Sequence, residues 1–237
     1  MKIHYDFHIH TALSPCGDED MTPNNIVNMA LLKGLDAIAI TDHNSALNVR
    51  SCCECGKKSG LIVLPGMEIE TAEDVHIVAL FSEVNQAEKF GDFVSQKLPP
   101  IKNRVDIFGP QNVMNCEDEV VCAVENLLST ATTLPLREAV ESIWSFGGIA
   151  IPAHIDKSSY SIISNLGFIP SDIDFPTLEI KFPENKDSFV KTHNLHGANI
   201  LHNSDAHFLW DISEKEHFIT PEEASTKGII DYLKQKE

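Results

Sequence analysis

The sequence contains no long apolar run. Its charge-free apolar stretches, such as LIVLPGM (61–67) and GGIAIPA (147–153), are short, whereas a helix needs about 20 such residues to span a bilayer. The first ten residues also lack a basic start followed by an apolar stretch and a cleavage site. We therefore expect a soluble, cytoplasmic protein with no membrane partner.

Positive charge is also scarce. The chain has 18 Lys and Arg residues against 35 Asp and Glu residues, which gives a formal net charge of −17. Such a charge opposes binding to nucleic-acid phosphates. The sequence also has no basic, aromatic-rich run of the kind that binds single-stranded nucleic acid. We therefore expect a small phosphorylated substrate and no long nucleic acid, with a mononucleotide or short oligonucleotide still possible.

The six cysteines do not suggest a disulfide framework, because a chain of 237 residues is neither small nor rich in cysteine. Cys52, Cys53 and Cys55 lie close together, but no second matching pair completes a soft-metal site. The chain also lacks a Gly-x-Ser-x-Gly elbow and a Gly-rich phosphate loop with Lys-Ser/Thr. These absences disfavour serine hydrolases and P-loop enzymes.

Seven short apolar runs alternate with helical stretches, which predicts an α/β fold with a parallel sheet. We expect helices to begin at Thr22-Pro23, at Pro135 and at Thr220-Pro221. The length and the 43% hydrophobic content suit one domain, residues 1–237, with an irregular insertion or lid at about 98–133. The predicted strands are IHYDFHIH (3–10), AIAIT (37–41), LIVLPGMEI (61–69), VHIVALF (75–81), GIAIPAH (148–154), TLEI (177–180) and ANILHNSDAH (198–207).

Histidines, in several cases paired with carboxylates, lie in or directly after six of these seven runs. In an α/β barrel the carboxyl ends of the strands converge on one face, so these side chains should meet. Two residues separated by one other residue along a strand point to the same side and can hold one ion. Mixed imidazole and carboxylate ligands suit Zn, Fe or Mn. The set comprises His8, His10, Asp42, His43, Glu68, Glu70, His76, His154, Asp205 and His207.

These motifs, in this order, resemble the polymerase and histidinol phosphatase (PHP) family of metal-dependent phosphoesterases. The resemblance covers nearly the whole chain and implies a distorted TIM-like barrel of about seven β/α units. It also implies a site of two or three divalent ions, Zn, Mn or Fe. The matching segments are FHIHT (7–11), TDHN (41–44), GMEI (66–69) with VHIVAL (75–80), PAHID (152–156) and SDAH (204–207).

The resemblance assigns the ligands ion by ion. One ion would be held by His8, His10, Glu68 and Asp205, a second by Glu68, His76 and His154, and a third by His43, His207 and an aspartate. The family pattern also selects Glu68 over Glu70 as the bridging carboxylate. Counting back five residues from Pro23 gives Asp18 as the aspartate. Because the loop SPCGDEDMTP (14–23) is longer than in the family, Glu19, Asp20 and Cys16 remain alternatives.

The implied reaction is hydrolysis of a small phosphate ester, a phosphomonoester or a nucleotide-like compound, by water that the ions activate. Glu68, Asp205 and His207 would be the catalytic residues. Lys157 and Arg104, with Lys102 beside the latter, could bind a substrate phosphate. The alternatives are an amidohydrolase-like barrel that attacks a C–N bond, and a catalytically silent metal-binding domain. Exonuclease action occurs in the family but is disfavoured by the acidic charge.

We predict that protein purified without chelators carries about two to three equivalents of transition metal. Without cations, the predicted ligands would leave Asp18, Glu68 and Asp205 repelling one another. Elemental analysis checks this expectation. One equivalent or fewer, with no uptake of Mn, Fe or Zn on titration, would contradict a multinuclear site.

Overall fold

A computed structural model describes residues 1–195 and 197–236. The strands are β1 (Ile3–Ile9), β2 (Ala37–Ile40), β3 (Ile62–Glu70), β4 (His76–Leu80), β5 (Asn112–Met114), β6 (Val120–Ala123), β7 (Ile149–Pro152), β8 (Thr177–Ile180), β9 (Asn199–His202) and β10 (Phe218–Ile219). The helices are α1 (Pro23–Leu32), α2 (Val49–Ser59), α3 (Val84–Ser95), α4 (Val105–Phe108), α5 (Leu136–Ser145), α6 (Ile162–Leu166), α7 (Lys186–His193) and α8 (Thr226–Leu233).

The main sheet has six strands in the order β10-β1-β2-β3-β4-β7. Strands β1, β2 and β3 are parallel, but β4 runs antiparallel to both β3 and β7. The expectation of a wholly parallel sheet is therefore wrong at β4. The chain between β3 and β4 covers only residues 71–75, which permits a hairpin, whereas a parallel crossover needs about a dozen residues. As a result His76, the first residue of β4, lies opposite Glu70, the last residue of β3.

Strands β8 and β9 form a separate parallel pair that continues the curve of the sheet. On one side, the Ile155 N–H after β7 donates to the Glu179 carbonyl at 2.8 Å. On the other, the His10 N–H donates to the Ala206 carbonyl at 3.0 Å. The predicted α/β class is confirmed. The continuous hydrogen-bonded sheet is a curled half-barrel of six strands, and the segment after the pair is joined to β1 by an isolated bridge between Ile9 and Ala206. The barrel of about seven β/α units remains a prediction.

A bulge in β1 directs the first two predicted ligand histidines, His8 and His10, into the interior. The pairing of β1 with β2 shifts register between Asp6 and Ile9. Phe7 packs in the inner cluster with the strands and α8, whereas Ile9 packs in the outer cluster with the helices. Because the two faces exchange at this point, His8 and His10 point inward above the inner cluster.

Two of the predicted helix starts are confirmed and one is wrong. Helix α1 begins at Pro23 with Thr22 as its N-cap, and α5 begins directly after Pro135. The last helix, however, begins at Thr226 and not after Thr220-Pro221. The Ser225 side chain accepts from the Gly228 N–H at 3.0 Å and so provides this cap. Within the described part of the chain, no helix has the length and apolarity that crossing a membrane requires.

The segment at 98–133 contains α4 and the β5–β6 hairpin, and the side chain of Asn48 attaches the hairpin to the sheet. The Asn48 amide donates to Thr11 Oγ1 at 2.8 Å and to the Asn112 carbonyl at 3.0 Å. Its oxygen accepts from the Met114 N–H at 2.8 Å. Asn48 itself is fully buried, so these bonds are protected from water.

We predict that Asn48→Ala lowers the free energy of unfolding by about 1–3 kcal/mol, because it leaves buried backbone groups of the hairpin without partners. Urea unfolding followed by circular dichroism measures the change. Asn85→Ala, an exposed control on α3, should stay within about 0.5 kcal/mol of the parent. Equal effects of the two substitutions would contradict the role given to Asn48.

Candidate metal centre

The structure brings together eight of the nine predicted ligands at the end of the sheet where β1, β2 and β7 terminate. Glu68 lies within β3, His76 begins β4, and His43 and His154 directly follow β2 and β7. Most of these side chains are buried, and His207 is the most exposed, at 24%. The eight are His8, His10, His43, Glu68, His76, His154, Asp205 and His207.

Glu68 occupies the middle of this arrangement, and its two oxygens face different imidazoles. Oε1 lies 2.9 Å from His76 Nδ1 and 3.2 Å from His154 Nε2. Oε2 lies 3.1 Å from His43 Nδ1 and 3.4 Å from His10 Nε2. One carboxylate therefore reaches two sets of ligands, as a bridging carboxylate must.

Three groups of side chains place their ligand atoms within 4.8 Å of one another, and neighbouring groups share members. A group of four contains two carboxylates with His8 and His10, a group of three shares Glu68 with it, and a third group consists of imidazoles. The groups are His8, His10, Glu68 and Asp205; His43, Glu68 and His76; and His10, His43 and His207. The first of them coincides with the first predicted ion site.

Hydrogen bonds fix which nitrogen of three histidines faces the centre. His8 Nδ1 lies 3.0 and 3.1 Å from the two oxygens of Glu179. A carboxylate only accepts, so Nδ1 carries the proton and the Nε2 lone pair of the neutral ring points inward. In the same way, His207 Nδ1 donates to the Asp205 carbonyl at 2.9 Å.

His10 is oriented through a chain of two further side chains. Ser14 Oγ donates to Asp42 Oδ1 at 2.7 Å, so it accepts from His10 Nδ1 at 3.1 Å. His10 Nε2 consequently faces His8 Nε2 at 3.2 Å. With both Nδ1 atoms protonated, two neutral rings would place lone pair against lone pair, an arrangement that a shared cation would make favourable.

Several buried polar atoms at the centre lack a hydrogen-bond partner among the described residues. They include His154 Nδ1, and also His43 Nδ1 and Glu68 Oε2, which lie 3.1 Å apart without a well-directed hydrogen bond. Buried polar atoms are nearly always satisfied, so such a cluster is suited to bind an ion. His154 and Asp205 also have positive φ, at 31° and 51°, a strained conformation of the kind found at functional sites. The residues present therefore fit a group of divalent cations.

Electrostatics lead to the same conclusion. Burial favours the neutral form of Glu68, but His76, His8 and His43 hold the pKa of its carboxyl well below its usual range. Burial likewise disfavours a charged His8, yet Glu179, Glu68 and Asp205 raise the pKa of this histidine well above its usual value. In the absence of metal, protons supply the positive charge that the carboxylates require. Metal ions would displace them.

Glu179 was not predicted as a functional residue. Besides orienting His8, it accepts from the His154 N–H at 3.0 Å and from the Asn203 amide at 2.6 Å. It lies in the strand TLEI, and a charged residue in an otherwise apolar buried strand was the available signal. Asp42 gave a similar signal at the end of β2 without receiving a role.

The remaining predicted residues lie in different settings. Lys157 Nζ lies 3.0 Å from Asp205 Oδ2, at the edge of the centre. Arg104 is exposed and pairs with Asp106 at 2.6 Å, and Lys102 is exposed beside Glu125. The structure does not bring Asp18 into any of the three ligand groups of the described residues.

Cys16, an alternative to Asp18 in the sequence, lies against the centre. Desolvation raises the pKa of the Cys16 thiol, but the opposing effect of His207 and His43 is larger and lowers it to about 6. The residue is exposed to solvent at the mouth of the site.

An α/β half-barrel with a buried cluster of imidazoles around one carboxylate is an arrangement suited to a metal-dependent hydrolase. The family model of the PHP domain matches residues 6–128, just over half of the chain. The chain belongs to the PHP domain family, as the sequence motifs predicted.

Similar proteins include an exoribonuclease and a lesion-specific endonuclease. Over 98 residues the chain is 33% identical to the 5'-3' exoribonuclease Rnm of Salmonella typhimurium, which covers 39% of this chain and 32% of that protein. The lesion-specific endonuclease PfuEndoQ from Pyrococcus furiosus superposes with a TM-score of 0.66 at 20% identity, over 99% of this chain and 56% of that one.

A protein described as a metal-dependent phosphoesterase from Bifidobacterium adolescentis gives a TM-score of 0.60 at 19% identity, over 97% and 95% of the two chains. At such identities the structural similarities show a shared fold. The chain spans about a third of the exoribonuclease and just over half of the endonuclease.

The expectation that a charge of −17 excludes long nucleic acids is wrong, because the similar proteins include an exoribonuclease and a lesion-specific endonuclease. The net charge averages over the whole surface, whereas a substrate phosphate responds to the local field. Bound cations are often the largest local charges in a site. Part of the negative charge here lies at the metal centre itself.

We predict that Glu68→Gln removes at least about one equivalent of bound metal, since a neutral amide is a poor bridging ligand. Glu70→Gln is the matched control, because Glu70 Oε2 lies 3.9 Å from His76 Nε2 at the edge of the cluster. Elemental analysis of both variants after metal loading measures the difference. If Glu70→Gln strips the metal and Glu68→Gln retains it, the bridging carboxylate is Glu70.

Proposed function

We propose that this protein is a divalent-metal-dependent phosphoesterase that cleaves phosphodiester bonds in nucleic acid. The observation that carries the proposal is the set of histidines around both oxygens of Glu68, with His8, His76 and His154 on Oε1 and His10 and His43 on Oε2. This geometry suits ions held side by side. Such ions, when bound, supply an activated water and neutralise charge on the transferring phosphoryl group.

The chain's own residues have distinct tasks in this proposal. The eight clustered ligands hold two ions or three, with Zn, Mn or Fe the best suited to imidazole and carboxylate. Glu179, Asp42 and Ser14 hold a ring proton of His8 and His10 on Nδ1 and direct Nε2 to the centre, where a bound ion would replace a proton. This outer layer acts by positioning and does not contact the substrate.

Lys157 is suited to bind a non-bridging phosphate oxygen. Its side chain is 32% exposed, so the ammonium can turn from Asp205 towards a ligand. Burial disfavours the charged form, but Asp205 raises the pKa of Lys157, so it remains an ammonium at neutral pH. Asp205 thus has two functions, because Oδ1 faces His8 and His10 while Oδ2 holds Lys157.

Exposed aromatic side chains beside the ligands support a nucleic-acid substrate. Tyr160 stacks on His76, with ring centroids 4.9 Å apart, and is 47% exposed. Phe208, which follows His207, stacks on Trp210 at 5.2 Å. Aromatic faces of this kind stack bases, which contributes about 1–3 kcal/mol per base. They flank the centre, where an unpaired strand could lie.

The proposal is tested by assaying the metal-loaded protein on 5′-phosphorylated single-stranded RNA and DNA, on a duplex with an abasic site, on p-nitrophenyl phosphate and on an amide and a lactone. We expect cleavage of a nucleic acid that a chelator abolishes and added metal restores. Cleavage of the phosphomonoester alone would contradict the nucleic-acid substrate. Hydrolysis of the amide or lactone alone would favour amidohydrolase chemistry, and no turnover would favour a silent domain.

We predict that Lys157→Ala lowers kcat/KM on the accepted substrate by about 10- to 100-fold, from the loss of a charged contact of about 1.5–3 kcal/mol. Arg104→Ala is the control and should leave the rate unchanged, since this guanidinium already pairs with Asp106. Equal losses in the two variants, at unchanged metal content, would instead assign the phosphate contact to both residues.

A further inference from the structure

A crevice of about 500 Å³ opens beside the metal centre, between the end of β9 and the segment 210–217. Asp205, whose Oδ1 faces His8 and His10, forms part of its wall, and Trp210 forms another part. A cavity of this volume holds a ligand of the size of one nucleotide. The crevice therefore begins at a predicted metal ligand and has room for one unit of a nucleic acid.

Trp210 presents its indole to solvent from a backbone that is held in place. The residue is 69% exposed, and its ring stacks on Phe208 with the two ring planes within 14° of each other. Lys33 Nζ donates to the Trp210 carbonyl at 2.7 Å and also to the Ile212 carbonyl. An exposed aromatic ring on a fixed backbone is a preformed stacking surface, because little conformational freedom is lost when a ligand binds.

A fully buried carboxylate fixes the same segment at two further points. Asp6 Oδ1 accepts from the Ser204 N–H at 3.1 Å, and Asp6 Oδ2 accepts from the Ser213 N–H at 2.9 Å. Ser204 directly precedes Asp205, and Ser213 lies shortly after Trp210. Asp6 therefore ties the position of the metal ligand to that of the indole, so that one ligand can meet both.

The charges in the wall decide which part of a nucleotide the crevice suits. Both of its ammonium groups are already bound to backbone carbonyls, that of Lys33 to Trp210 and that of Lys181 to Ser204. Carboxylates repel a phosphate, but they accept hydrogen bonds from sugar hydroxyls and from base amino groups. The crevice therefore suits the uncharged sugar and base, and leaves the phosphate to the ions and Lys157. The carboxylates of the wall are Asp205, Asp211, Glu214 and Glu216.

We propose that this crevice is a nucleoside subsite, in which the base of the nucleotide next to the cleaved phosphate stacks on Trp210 and its sugar faces the carboxylates. The inference rests on the proposed function and adds to it the position of one nucleoside. Every base has a face that can stack on an aromatic ring. The subsite therefore binds a nucleoside of any sequence and contributes affinity without sequence specificity.

The first test measures binding, independently of cleavage, through the fluorescence of Trp210. The chain has two tryptophans, so Trp144→Phe leaves Trp210 as the emitting indole, and Trp210→Phe leaves Trp144 as the control. We expect 5′-AMP to quench the emission of metal-loaded Trp144→Phe in a saturable manner and to leave that of Trp210→Phe unchanged. Ribose 5-phosphate has the same sugar and phosphate but no base, and should not quench. No quenching by 5′-AMP, or equal quenching by ribose 5-phosphate, would overturn the proposal.

The second test measures cleavage of a single-stranded oligonucleotide. Trp210→Ala should raise KM by about 5- to 150-fold, the equivalent of one stacked base. The loss should lie in KM and not in kcat, because the indole does not contact the reacting atoms. Trp210→Phe keeps an aromatic face and should restore most of the loss. Trp144→Ala, which removes an exposed indole on α5, is the matched control and should keep the KM of the parent protein.

A substrate that lacks the base at one position completes the test. At the position that occupies the crevice, removal of the base should raise the KM of the parent protein by a similar factor and make Trp210→Ala no worse than the parent. If the two losses add at every position, no base stacks on Trp210 and the proposal is wrong. Cleavage without quenching of Trp210 would overturn the subsite alone, whereas quenching without cleavage of any nucleic acid would contradict the proposed function alone.

Discussion

The structure depends on the neutralisation of one buried carboxylate. Glu68 is fully buried, and no Lys or Arg of the described residues pairs with it, so its partners are imidazoles. An isolated buried carboxylate is very costly, and imidazoles compensate it only by taking up protons or by sharing cations with it. The hairpin that makes β4 antiparallel, the bulge in β1 and the strained backbone of His154 all bring imidazoles to this one group.

A second layer of side chains, which hydrogen-bond to the ligand histidines, fixes the orientation of these histidines. Glu179 joins His8 to the backbone of His154, and Asp42 acts on His10 through Ser14. Each of these bonds keeps a proton on the outward nitrogen, which leaves the inward nitrogen free. The layer itself is buried and negatively charged, so part of the net charge of −17 belongs to the interior and not to a surface that would repel a substrate.

Much of the site could be predicted from the sequence, because strand ends and residue parity are local properties. The alternation along β1 and the family motifs together placed His8, His10 and Glu68 in one group, and the structure brings them together. The direction of β4 could have been predicted from the short connection between the runs at 61–69 and 75–81, although the apolar pattern alone does not fix the direction of a strand. The place of Asp18 outside the ligand groups could not be predicted, since counting residues cannot show which side chain of a compact loop turns inward.

The central claim is that Glu68 bridges ions within one ligand cluster. The most direct measurement is a crystal structure of the metal-loaded protein, with anomalous data collected on both sides of the absorption edge of the bound metal. The predicted result is two or three anomalous peaks, with separate peaks next to Oε1 and Oε2 of Glu68. A single peak, or peaks that do not contact Glu68, would contradict it.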